Sequence, residues 1–287
     1  MPPLTAPADE LAALSQGRAA VDLRAFRTVH VGGADARRWL HDLVTTDVAS
    51  LTPGEARRSL LLDPTGHIRA DLQVACDDDG LWLFQAPDAG ADIAVALAPY
   101  VLSSDVVLDD RSGRRRLMAL PGSDAAAGSF SPSSLGPGAD VLLDDADPTP
   151  PPGRTLVGPD AVEVWRIRTG RVRMGVDFDE TSIPAEASLD ATIDTTKGCF
   201  LGQESVARVR NLGHPPRVLL HLRTDASVDA GSPIVTADGT EAGTVTSAAT
   251  DGGGGGSIVV ASVRWQLRSG PFDTPDGVRY VPVGSLD

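Results

Sequence analysis

The run Thr195-Thr196-Lys197-Gly198-Cys199-Phe200-Leu201-Gly202-Gln203-Glu204 holds the sole lysine and one of the two cysteines of this 287-residue chain. Of its 25 basic residues, 24 are Arg. A chain with that preference would carry Arg wherever a plain surface charge suffices, so the single Lys marks a position with a special demand. Glycines at 198 and 202 permit backbone geometries closed to other residues and let another group approach closely. From Gln203 to Val209 the sequence reads as the first turns of a helix. Cys199 then precedes a helix N-terminus with an ammonium two residues away, an electropositive setting that lowers a thiol pKa. The competing reading makes Cys199 a small buried hydrophobe beside Phe200.

Downstream of Arg217 the pattern changes to short β runs, VLLHL, PIVT, AGTVTSA, SIVVASV and VRYVPV, separated by turn residues, which predicts a small β-barrel or sandwich. The five glycines 252–256 between two of these runs read as a hairpin loop, since no Gly-Lys-Ser/Thr follows as a phosphate-binding loop requires. Upstream, Pro159 opens a helix that runs through Arg168. Before it, residues 122–153 are rich in Gly, Ser, Pro and Asp and read as a surface linker or long loop. In the N-terminal part, residues 21–31 (VDLRAFRTVHV) read as one strand, and Gly32-Gly33 turns into a helix beginning near Ala34. SLLLD, IRADLQVAC and LWLFQA, punctuated by Pro64-Thr65-Gly66 and Asp77-Asp78-Asp79-Gly80, predict an antiparallel meander. A helix is expected around 88–102, and strands at 105–109 and 115–120. The fold class is therefore α+β, in three consecutive parts: 1–121, 122–212 with the loop and the signature, and a barrel over 213–287.

Thirty-nine acidic against 25 basic residues give a formal net charge of −14, a field that opposes general nucleic-acid binding and anionic membranes. The N-terminus lacks the basic and apolar regions of a secretory signal, and no apolar run approaches the roughly 20 residues of a membrane span. A cytoplasmic protein is expected, with both Cys76 and Cys199 as thiols. Two cysteines cannot supply the four thiolates of an iron–sulfur cluster. The five histidines are scattered without a ligand cluster, so no metal site is assigned, and no Gly-x-Ser-x-Gly elbow offers a hydrolase nucleophile.

The Lys-Gly-Cys-Phe-Leu-Gly-Gln-Glu run resembles the K-G-C-[FY]-x-G-Q-E signature of the YgfZ family of folate-binding proteins, whose mitochondrial relatives assist iron–sulfur protein maturation. Asn211-Leu212-Gly213-His214-Pro215-Pro216-Arg217 is similar to that family's link to the barrel. The wider superfamily is that of the glycine-cleavage T-protein, a tetrahydrofolate-dependent aminomethyltransferase. Trp39 to Asp47 looks like its helix and T-x-D turn, and Gly243 to Ser247 like one of its barrel strands. The stretch 122–153 has no counterpart there. The resemblance implies a T-protein-like multidomain arrangement around a folate cavity, with residues 1–121 as a folate-binding domain.

Gly66-His67-Ile68-Arg69-Ala70-Asp71 resembles the T-protein segment whose second Asp stands beside the reacting folate nitrogen. His67 and Ala70 depart from it and Asp71 is kept. A carboxylate within reach of an amine nitrogen takes its proton or stabilises developing positive charge. On that strand Ile68, Ala70, Leu72 and Val74 share one face and Arg69, Asp71 and Gln73 the other, which without the resemblance reads as solvated. The T-protein's pterin-binding Glu segment has no match between 140 and 165, and the Lys-Gly-Cys signature is not a T-protein feature. Arg208, Arg210 and Arg217 are placed to meet a folate glutamate tail or an acidic partner, or to form a solvated face.

The expectation is a folate-binding accessory protein for iron–sulfur assembly or repair, with assembly proteins or client enzymes as partners. Its site residues are Cys199, Lys197 and Asp71, with Gly198, Gln203, Glu204 and Arg208 joining Asp71 around a tetrahydrofolate. The alternative is a tetrahydrofolate-dependent aminomethyl or methyl transferase, or a demethylase, using Asp71. A third reading is a scaffold with neither ligand nor reactive thiol.

Overall fold

The computed structural model describes residues 3–144, 149–252 and 255–286. Helix α1 (Ala8–Ser15) leads into β1 (Ala19–Asp22), β2 (Arg27–Gly32) and α2 (Ala36–His41), followed by the meander β3 (Ala56–Leu62), β4 (Ile68–Cys76) and β5 (Leu81–Gln85). After α3 (Ile93–Leu97) come β6 (Val107–Asp110), β7 (Arg115–Pro121), β8 (Ser129–Phe130), β9 (Gly138–Asp144) and β10 (Thr155–Leu156). Helices α4 (Pro159–Thr169) and α5 (Gln203–Leu212) precede β11 (Arg217–Thr224), β12 (Pro233–Thr236), β13 (Glu241–Thr250), β14 (Ser257–Arg264), β15 (Phe272–Asp273) and β16 (Arg279–Gly284). The expected α+β class with antiparallel sheets, helices and a C-terminal barrel is what the chain forms.

Two compact units are built from interleaved segments: Met1–Leu11, Gly158–Asp190 and Val206–Asp287 make one, Ala12–Val157 and Ala191–Ser205 the other. Their borders are not the consecutive ones read at 121/122 and 212/213, because residues 191–205 return to pack with the N-terminal half. In the barrel unit, β11 to β16 close into a six-stranded barrel in the order β11-β14-β13-β12-β15-β16. Helix α4 packs Val164 and Ile167 beside Ala249 of β13 and ends at Gly170, whose φ of 77° supplies the left-handed cap.

The second unit holds two five-stranded sheets, β3-β4-β5-β2-β6 and β10-β1-β7-β9-β8. One face of the first sheet, including Ala70, Leu72 and Val74, forms a core with Trp39 and Leu40 of α2 and Ile93 and Leu97 of α3. The opposite face is largely covered as well. Gln73 is only 3% exposed and donates to the Pro132 carbonyl at 2.9 Å. Phe84 packs on Phe130 with ring centroids 5.6 Å apart. The face that alternation alone marks as solvated is therefore partly closed by the second sheet.

Three local expectations change. Residues 21–31 are two strands in different sheets, split by a turn in which Asp22 accepts the Arg24 amide at 3.0 Å and Phe26 N–H bonds Leu23 O at 2.8 Å. The helix around 88–102 shrinks to α3 and a short 3-10 turn (Ala98–Tyr100), because Pro99 lacks the N–H that continued α-helix needs. The stretch 122–153 is not merely a loop, since β9 pairs with β7 along its length. Its serines serve a buried acid: Asp140 accepts Ser133 Oγ at 2.5 Å, Ser134 Oγ at 2.6 Å and Ser134 N at 2.7 Å. Averaged composition had hidden the strand Ala-Asp-Val-Leu-Leu-Asp. Residues 145–148 of that stretch, and Gly253 and Gly254 of the glycine run, lie outside the described residues.

Candidate functional site

The signature loop is attached to the first sheet through Thr45. Thr45 N–H donates to Leu60 O at 3.0 Å, Leu60 N–H returns a bond to Thr45 Oγ1 at 2.9 Å, and Val44 bridges Leu61. Across from them, Thr45 Oγ1 donates to Thr192 O at 3.0 Å and Asp194 N–H to Thr45 O at 3.0 Å. Residues 192–194 are thus hydrogen-bonded to Thr45, which itself bonds Leu60 of β3. Asp194 then turns the chain: its Oδ1 accepts Thr196 N and Thr196 Oγ1, both at 2.7 Å, and Lys197 N at 3.1 Å. The Thr196 bonds hold the Asp194 carboxyl below the usual carboxylate range.

Lys197 reaches back from this turn to the C-terminal end of α2. Its Nζ donates to the carbonyls of His41, of Val44 at 2.6 Å and of Thr46 at 2.9 Å. An ammonium has three N–H donors, and all three are used. Helix ends leave carbonyls without intrahelical partners and carry negative partial charge, so a cation is suited to the place. Burial pushes the Lys197 amine down to about 8, against the pull of Asp47, Asp42 and Asp194. Asp47 is itself held low by its Ser50 hydrogen bond despite burial, and stands 3.2 Å from His41 Nδ1.

Beyond Lys197, Gly198 and Cys199 are exposed, whereas Phe200 is 7% exposed and Leu201 packs onto the core of the unit. Gly202 has φ +82°, and a Cβ there would stand 2.6 Å from Asp63 O, so only glycine lets the start of α5 approach the β3–β4 turn. Gly198 has no such constraint, since an added Cβ would meet nothing within 4 Å. Close approach explains one of the two signature glycines. Cys199 is not the buried hydrophobe of the competing reading.

Asp71 lies opposite Leu60 in the β3–β4 ladder. Arg58 grips its carboxylate with two parallel bonds, Nε to Oδ1 at 3.0 Å and Nη2 to Oδ2 at 2.5 Å, and each side chain is 12% exposed. Leu60 and Thr45 link Asp71 to Asp194 through backbone and side-chain hydrogen bonds within this unit. Asp71, Lys197, Gly198, Cys199, Gln203 and Glu204 thus belong to one unit, and Arg208, exposed on α5, to the other. Gln203 is half-buried and Glu204 exposed. Sequence reading missed Arg58, Thr45 and Asp194. Hairpin register about Pro64-Thr65-Gly66 would have found Arg58, which pairs with Gln73 and so lies diagonal to Asp71.

Residues 4–128 match the GCVT N-terminal domain family. An uncharacterized protein of Haemophilus influenzae is 26% identical over 254 residues, 84% of this chain and 88% of its own length. An aminomethyltransferase of Bordetella bronchiseptica is 28% identical over 239 residues, 69% of this chain, which spans 65% of that relative's length. Among solved structures, the glycine cleavage system aminomethyltransferase T from Bartonella henselae matches with a TM-score of 0.81 at 20% identity, covering 99% of this chain and 91% of its own. The fold is T-protein-like. The Lys197–Glu204 run is similar to the signature of the YgfZ family. No helix among the described residues is long and apolar enough to cross a membrane.

Proposed function

We propose that this protein is a cytoplasmic, folate-binding accessory factor in the assembly or repair of iron–sulfur proteins, with Cys199 as its working thiol. The observation that carries the reading is the exposure of Cys199 on a loop tied down on both sides, in the unit that also holds Asp71 and Arg58. The other thiol offers a contrast. Cys76 is fully buried and accepts a bond from Arg37 Nη2 at 3.1 Å, which marks it as a packing residue.

A carboxylate offers about four acceptor positions, so Asp71, with one bond from Arg58 on each oxygen, keeps acceptor capacity for an N–H of a folate's pterin. Asp71 would hold an N–H of the pterin, and Gly198, Gln203 and Glu204 of the same unit would line the approach. A bound tetrahydrofolate supplies one-carbon chemistry at its reduced ring nitrogens. Iron–sulfur assembly proteins or client enzymes would be the partners of the exposed thiol.

Cys199→Ala should lower the activity of iron–sulfur enzymes in cells while leaving the protein folded, and unchanged activity in that variant would sink the reading. Calorimetric titration with tetrahydrofolate separates it from a bare scaffold, for which no heat appears at millimolar ligand. The second reading, a folate-dependent one-carbon transferase, draws on Asp71 at the position its resemblance assigns. It requires folate-dependent turnover of a methylated amine that is lost in Asp71→Asn. The bidentate hold of Arg58 counts against Asp71 as a free base, since both of its oxygens already accept bonds.

A further inference from the structure

We infer that Lys197 is a positioning residue: its ammonium pins the loop that presents Cys199 by filling a trio of backbone carbonyls, and it does not act on the thiol through its charge. The three acceptors belong to His41, Val44 and Thr46, 151 to 156 residues away in sequence. With all three N–H bonds directed at them, none is left for the sulfur. The compact, rotatable ammonium suits three converging oxygens, whereas the planar fork of a guanidinium suits two parallel ones. That difference explains why a chain of 24 arginines carries its one lysine here. Lys197 also completes the attachment begun by the Thr45 bonds to Thr192 and Asp194, while buried Phe200 and close-packed Gly202 fix the far side. Gly198 and Cys199 are the two residues left standing out between the anchors. The charged and titratable groups around the ammonium are Asp42, Asp47 and Asp194, with His41 and Arg57 at 3.2 and 4.0 Å from Asp47.

The inference rests on Cys199 being the working thiol, but its test involves neither folate nor a client protein, so the two ideas fail separately. In the full-length protein, amide hydrogen exchange over 195–201 and the pH profile of Cys199 alkylation would be followed in Lys197→Arg and Lys197→Met. Pinning predicts that Lys197→Arg exchanges at least about tenfold faster, the factor set by one lost charge-assisted hydrogen bond, and Lys197→Met, which loses all three, faster still, with the thiol's pH midpoint unmoved. Charge tuning predicts instead a midpoint that moves in Lys197→Met and stays in Lys197→Arg. That result, or wild-type exchange in Lys197→Arg, would overturn the inference. Methylammonium should restore protection to Lys197→Ala, and tetramethylammonium, with equal charge and no N–H, should not; equal effects of the two ions also overturn it. If the variants do not fold, acetylating the single lysine of the folded wild type asks the same question. Exchange over 195–201 must then accelerate, and unaltered exchange after acetylation refutes pinning.

Discussion

Arg166, buried in the barrel unit, and Lys197, half-buried in the other, are cations satisfied in opposite ways. Arg166 directs its five N–H bonds to five acceptors: the two oxygens of Glu163 at 3.0 and 2.6 Å, Asp177 at 2.6 Å, Arg171 O at 2.8 Å and Ser247 Oγ at 2.9 Å. Asp177 in turn accepts Ser247 Oγ at 2.5 Å and Thr246 Oγ1 at 2.7 Å. Burial works against the charge of Arg166, and the carboxylates of Glu163 and Asp177 outweigh it, so its pKa rises further. Lys197 is bonded only to carbonyls, its nearby carboxylates do not offset burial, and its pKa falls to about 8. One cation is a permanent tie between α4 and β13. The other is a tie whose proton is within reach of ordinary pH. Fork geometry with matched anions selects arginine, and three neutral oxygens select lysine.

The harshest way to break the comparison is Asp177→Ala. It strips a buried guanidinium of its partner and should cost about 3–5 kcal/mol, read as a lowered urea midpoint for the barrel unit. A loss below about 1 kcal/mol would mean that water replaces the carboxylate and that the network is no firmer than a surface pair. Next in size is Gly202→Ala, which places a Cβ against the Asp63 carbonyl at a positive φ. It should cost roughly 1–3 kcal/mol and raise proteolytic nicking of the signature loop. A neutral substitution would show that Phe200 and Leu201 hold the far side unaided.

A third test is the dependence on pH. Burial lowers the pKa of folded Lys197 to about 8 from the usual lysine value of 10.5. Burial therefore penalises the folded state fully below pH 8. As pH rises from about 8 towards 10.5 the unfolded chain holds more protons, and the Lys197 contribution to stability increases. The unfolding free energy of the wild type relative to Lys197→Met should rise over that window, other titrating groups cancelling in the difference. A flat difference would mean that the carbonyl trio compensates burial completely, and Lys197 would then resemble Arg166.

Much of the architecture is legible because its cues are local. Alternation and turn residues mark β3, β4 and β5, Pro159 marks the start of α4, and regular short runs mark the barrel. Rarity of residue types also singled out Lys197 and Cys199. Where cues conflict or are averaged the reading falters: Asp22 and Arg24 hide a turn inside an apparent strand, and the Ser-Pro-Asp composition of 122–153 masks β9. The candidate site was legible as a set of residues, but not as a set of contacts.

Sequence by itself determined that Lys197 is exceptional, that Cys199 sits before a helix and that Asp71 shares a strand face with Gln73. Only the tertiary structure decided that the lysine holds carbonyls rather than the thiol, that Arg58 grips Asp71 and that the barrel unit encloses Arg166. The physical reason is range. Propensity and periodicity act over a few residues, whereas the Lys197 carbonyls and the Ser247 and Thr246 partners of the Arg166 network come from 69 to 156 residues away. No local pattern specifies which distant groups will be left with unmet donors and acceptors once the core has packed.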